Sequence, residues 1–97
     1  MSMITAPAGY HPTTGVPLRY MLAMTVAEHR QALDLSAERA AALSGLNLGQ
    51  WLAIECGNWV PEEQAVIRAV ADTLEFGYLA LSLVAEISRH WVAQGKN

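Results

Sequence analysis

With 97 residues, 53% of them hydrophobic and only 15% charged, the chain suits one small packed domain and is too apolar for a disordered segment. Nine acidic residues against six basic ones, a net charge of −3, exclude a surface that grips nucleic acid through diffuse positive charge. The apolar share also exceeds what so small a core hides, which predicts an oligomer.

Residues 1–17 carry Pro7, Pro12 and Pro17 with Gly9, Gly15 and several Thr, the composition of a flexible arm, which is expected to extend through residue 24. The opening MSMITAPAGYHP lacks the basic stretch and apolar run of a secretory signal. RYMLAM (19–24) suits either a short strand or an extra turn leading into the first helix. Thr25-Val-Ala-Glu28 then reads as a capping box, in which hydroxyl and carboxylate satisfy free amides at a helix start. Val26, His29 and Leu33 fall on one face of the helix so begun, about 25–34. Ser36 is the next N-cap, ERAAAL is strong helix former, and Gly45 is a natural left-handed stop.

Asn47-Leu-Gly-Gln50 offers a further cap, opening a short third helix over about 48–55 that seats Trp51 and Ile54 and stops at Gly57. Pro61 suits the first turn of a fourth helix, where Glu62 and Glu63 would complement the helix dipole and Val66, Ala69, Val70 and Leu74 form an apolar stripe. The chain bends near Gly77. A last helix over about 78–93 carries Leu79, Leu83, Ile87 and Trp91 on one side and Leu81, Val84 and Val92 besides, a face too wide for one small core. The class is all-α, divided as an arm (1–24), a helical core (25–76) and a C-terminal helix (77–97) whose Leu79, Leu83, Ile87 and Trp91 are expected to form a dimer interface.

Few residues suggest chemistry. His11, His29 and His90 are not spaced as metal ligands, and His29 reads as a partly buried core residue. Cys56 is the one cysteine; it excludes an internal disulfide framework and reads as an inert thiol. No nucleophile has a base beside it, and there is no phosphate-binding glycine loop or carboxylate cluster. Neither catalytic residues, a metal nor a cofactor is expected, and the chain is not read as an enzyme. LRYMLAMTVA and FGYLALSLVA are broken by charge well short of a membrane span, so a cytoplasmic protein with no membrane partner is expected.

Leu35-Ser36, Ala41, Gly45-Leu46, Trp51, Ile54-Glu55, Gly57 and Val60-Pro61 together resemble the pattern of the Xre family, the Cro and phage-repressor-type helix-turn-helix domains. The likeness runs without gaps from Leu33 to Leu74, about two fifths of the chain. Its ending is similar to that of small phage autoregulators, including anti-CRISPR-associated repressors, which add a dimerising tail. The resemblance implies a five-helix domain whose third helix enters the major groove. It places the reading positions on Asn47, Leu48, Gly49 and Leu52, a loop contact on Asn58 or Trp59, and a phosphate contact on Arg39. The helix 2 contact that the family usually makes with Gln falls on Ala37. Only Asn47 and Gln50 could hydrogen-bond bases specifically, with adenine the natural partner of either amide.

The apolar outer face of the third helix, Leu48, Leu52 and Ala53, suits packing on thymine methyl groups, docking of a protein, or cover by the N-terminal arm or a second subunit. Two readings follow for the whole chain. In the first, the chain is a dimeric transcriptional repressor on an inverted-repeat operator in double-stranded DNA, with half-sites about 34 Å apart or a multiple of that. In the second it is a protein-interaction module, an antitoxin or phage-encoded inhibitor, docking a protein partner through Leu48, Leu52 and Trp59. The intact spacing favours the first; the net acidity and the missing basic loop favour the second. Trp59 also suits a hydrophobic plug over helix 4.

Overall fold

The computed structural model describes residues 17–93, and residues 1–16 of the expected arm lie outside them. A single 3-10 turn, Leu18–Tyr20, leads into five helices: α1 (Met21–Ala32), α2 (Ala37–Ser44), α3 (Leu48–Glu55), α4 (Gln64–Leu74) and α5 (Tyr78–Ala93). There is no strand among the described residues, so the all-α class holds.

Helix α1 starts four residues earlier than the capping box predicts. Thr25 sits mid-helix, where its carbonyl accepts from His29 Nδ1 at 2.8 Å. The true start is met from outside the segment. The Leu22 amide donates to Ser88 Oγ of α5 at 2.8 Å, and that hydroxyl in turn donates to the Leu18 carbonyl at 3.3 Å. Burial of Leu22 and Ala23 supplies the drive for the added turn, so residues 18–24 belong to the fold and not to an arm.

Helices α1 to α4 share one ending. Asp34 (φ 59°), Gly45 (78°), Gly57 (80°) and Glu75 (55°) each take the left-handed conformation just past a helix. In each case that residue's amide bonds back three residues and the next amide bonds back five, at 2.9–3.2 Å. These bonds satisfy carbonyls a helix end leaves open. Glycine accounts for two of the four. The reversal expected at Gly77 falls instead on Glu75, and Gly77 supplies the first carbonyl of α5, accepting from the Leu81 amide at 2.9 Å.

Helix α4 also starts later than predicted, at Gln64, so Pro61, Glu62 and Glu63 precede its first turn. Pro61 is buried, and its carbonyl accepts from Arg89 Nη2 of α5 at 2.7 Å, which holds the segment extended over the core. The inward face of α4 is Ile67, Val70, Ala71 and Leu74. Val66 packs at its margin and Ala69 is only half-buried.

One core unites the helices. Leu22, Val26, Ala40, Ala41, Trp51, Ile54, Ile67, Val70, Ala71, Leu74, Leu81 and Ala85 form a contiguous buried cluster. Helix α5 packs on the 3-10 turn, α1 and α4, while α2 packs on α3 and α4. Alanines at 40, 41, 71 and 85 are at most 2% exposed, allowing backbones to approach closely where helices meet. Helix α5 is therefore part of this core through Leu81, Ala85 and Ser88, not an appendage to it. No helix among the described residues is long and apolar enough to cross a membrane.

Candidate nucleic-acid interface

Helix α3 follows α2 after a three-residue turn, Gly45-Leu46-Asn47. Gly45 has nothing within 4 Å of where a Cβ would lie, so conformation alone calls for glycine there. Gly57, at the other end of α3, is doubly constrained: a Cβ would overlap the Tyr20 ring, and its φ is left-handed. Between these ends Trp51 and Ile54 are 0% and 1% exposed and seat the helix on the core.

A polar clamp fixes the same helix. Glu55 at its last turn accepts from Arg30 Nε at 2.6 Å and Nη2 at 3.1 Å, and from the Trp51 indole at 2.6 Å. Arg30 Nη1 also donates to the Leu35 carbonyl at 2.8 Å. The side chains of Arg30 and Glu55 are only 17% and 11% exposed. The hydrogen bond to Glu55, assisted by its charge and opposed by burial, raises the pKa of Arg30 further above its ordinary value. In the sequence Arg30 has the look of an ordinary solvated helix-face cation, because its partner Glu55 lies 25 residues away.

With Trp51 and Ile54 turned inward, Asn47, Leu48, Gly49, Gln50 and Leu52 are all exposed, and Ala53 is half-buried. Leu48 and Leu52 are 38% and 41% exposed, less than Leu43, Leu79 and Leu83. Asn47 and Gln50 are not free amides. They close a reciprocal capping box, Gln50 N to Asn47 Oδ1 at 2.8 Å and Asn47 N to Gln50 Oε1 at 3.0 Å. A Cβ at residue 49 would lie 3.3 Å from Asn47 Oδ1, a tight contact against that box.

Beside this face, Asn58 is exposed and Trp59 is half-buried against the core, matching the plug reading for Trp59. Trp59 also walls an open groove of about 330 Å³ with Val60, Pro61, Glu62, Glu63 and Val66. Arg39 is exposed on α2. The other described arginines are engaged: Arg30 with Glu55, Arg89 with Glu86, Arg68 over the Tyr78 ring at 4.0 Å and Arg19 by the Tyr20 ring at 5.4 Å. Among the described residues Arg39 is thus the one arginine in neither an ion pair nor a ring stack.

The expected dimer residues lie elsewhere, on α5. Leu79 and Leu83 are 79% and 62% exposed, whereas Ile87 and Trp91 are half-buried. Cys56 is exposed, His29 packs edge-on to Phe76 with ring centroids 4.4 Å apart, and His11 lies outside the described residues. No group of three potential metal ligands occurs among the described residues. No protein-family model, curated protein or solved structure matches the chain.

Proposed function

We propose that the chain is a helix-turn-helix DNA-binding regulator of the Xre type, acting as a dimeric repressor on an inverted repeat. One observation carries this reading. A short helix follows a tight three-residue turn, is anchored by two fully buried side chains and a partly buried ion pair, and turns Asn47, Leu48, Gly49, Gln50 and Leu52 outward. Such a helix presents its early residues to base edges in the major groove. Arg39, exposed on the preceding helix, supplies a phosphate contact, and Asn58 lies at the loop that follows α3. The outward Leu79 and Leu83 of α5 supply the apolar surface for pairing subunits.

A second reading is favoured by the same face. Leu48 and Leu52 are exposed beside a single unengaged arginine on an acidic chain, a balance that suits docking to a protein better than to phosphate. The deciding experiment is selection of bound duplexes from a random-sequence pool, followed by titration of the selected duplex and a scrambled one at two salt concentrations. A recovered motif bound in preference to its scramble supports the regulator. Failure to enrich any motif, with equally weak binding to unrelated duplexes, sinks it in favour of protein docking.

A further inference from the structure

Resting on the DNA-reading assignment of α3, we infer that its base-reading chemistry is donor-plus-methyl, and that its preferred target in the major groove is the thymine edge. The capping box decides this. The amides of residues 47 and 50 are both N–H donors, so the side-chain atom that meets each must be the oxygen and not the NH2 group. That requirement orients both side-chain amides without ambiguity: the oxygens turn to the helix end and the NH2 groups turn away from it.

The consequence runs against the adenine partner that free amides would favour. Bidentate pairing with adenine needs the amide oxygen to accept from N6–H while its nitrogen donates to N7. Each of these oxygens faces the helix end and holds a backbone donor, at 2.8 and 3.0 Å, so turning oxygen and nitrogen together to an adenine edge competes with the box, whereas the NH2 groups are left free of it. What α3 offers instead is two NH2 donors beside the apolar surface of Leu48 and Leu52, with no charged side chain from Asn47 to Ile54. Thymine presents the complement: the O4 acceptor lies next to the C5-methyl in the major groove. Guanine presents two acceptors and no methyl, and its usual reader is an arginine or lysine, of which this face has none.

The test uses the full chain and the duplex recovered by selection. Each thymine of the half-site is replaced in turn by uracil, which deletes the methyl and keeps O4. At one or more positions uracil should weaken binding about fourfold, the value of one buried methyl group. Leu48→Ala or Leu52→Ala should bring that thymine-to-uracil ratio towards one. Gln50→Glu retains an oxygen for the Asn47 amide but has no donor, so it should remove the preference at one position while helicity by circular dichroism stays unchanged. A selected motif that is bound equally well with uracil throughout, or one whose conserved positions are all G·C, overturns the inference while leaving DNA reading intact. If no motif is recovered, the inference falls with the DNA-reading assignment itself.

Discussion

Arg30 and Glu55 meet through two hydrogen bonds, at 2.6 and 3.1 Å, across a gap that joins the last turn of α1 to the last turn of α3. Glu55 holds the Trp51 indole with the same carboxylate oxygen that faces Arg30 Nε. The outward face of α3 is thereby tied to the core at the level of a single charged pair.

Breaking that pair should be costly. Arg30→Ala leaves a largely buried carboxylate without its cation, and a loss of about 2–4 kcal/mol is expected. Glu55→Gln should cost less, since the amide oxygen still serves the Trp51 indole. Urea unfolding of the two single variants and of the combined variant measures the coupling; additive losses would show that the pair is not the link between the helices.

Ser88 is fully buried and caps α1 from a helix 66 residues further along the chain. Ser88→Ala should leave the Leu22 amide unpaired and cost about 1–3 kcal/mol. Amide exchange at Leu22 should accelerate well beyond that of amides in the middle of α1. Unchanged protection at Leu22 would mean another acceptor takes over.

Two helix ends use non-glycine residues in the left-handed conformation. Glu75 is exposed at φ 55°, so Glu75→Gly should stabilise the fold by about 0.5–1 kcal/mol, strain relief outweighing the gain in unfolded-state freedom. In a domain this small that raises Tm by several degrees, roughly 2–8 °C. The opposite substitutions rank predictably. Gly57→Ala should cost more than Gly45→Ala, because only at Gly57 does a Cβ overlap a neighbouring ring, that of Tyr20. Equal losses from thermal melts would remove the role given to Tyr20.

For the proposed regulator, Arg39→Ala should weaken binding to the selected and scrambled duplexes by similar factors. It should also lower the slope of log affinity against log salt by about one unit. A loss confined to the selected sequence would make Arg39 a base reader.

Leu79→Glu and Leu83→Glu alter side chains that are 79% and 62% exposed, so the monomer fold should survive them. If α5 pairs subunits, sedimentation should show a shift to monomer and affinity for an inverted repeat should drop to that for a single half-site. A wild-type protein that sediments as a monomer at micromolar concentration, or variants that remain dimers, would remove α5 from that role.

Much of the architecture was legible locally. The third helix was placed at 48–55, where the structure has it, because Asn47, Gln50 and Gly57 are signals that act within a few residues of one another. Ser36 and Gly45 bound α2 for the same reason; Ser36 Oγ accepts from the Arg39 amide at 3.0 Å. The start of α1 lies ahead of its local capping signal because the acceptor there is Ser88, which no local pattern reveals. The start of α4 lies beyond Pro61 because Arg89 of α5 holds the Pro61 carbonyl.

The same division holds at the candidate site. Composition and helical spacing alone determined that the described residues form helices without a strand, that Trp51 and Ile54 point inward, and that the remaining face of α3 is apolar with two amides. Only the tertiary structure decided that α5 is built into the core while Leu79 and Leu83 face outward, that Arg30 is a clamp, and that the two amides spend their oxygens on each other's backbone. Local signals act through bonds a few residues long and can be read in order along a chain. Long-range acceptors and ion pairs exist only once packing brings distant segments within about 3 Å, and here those contacts set which atoms α3 has left to offer a partner.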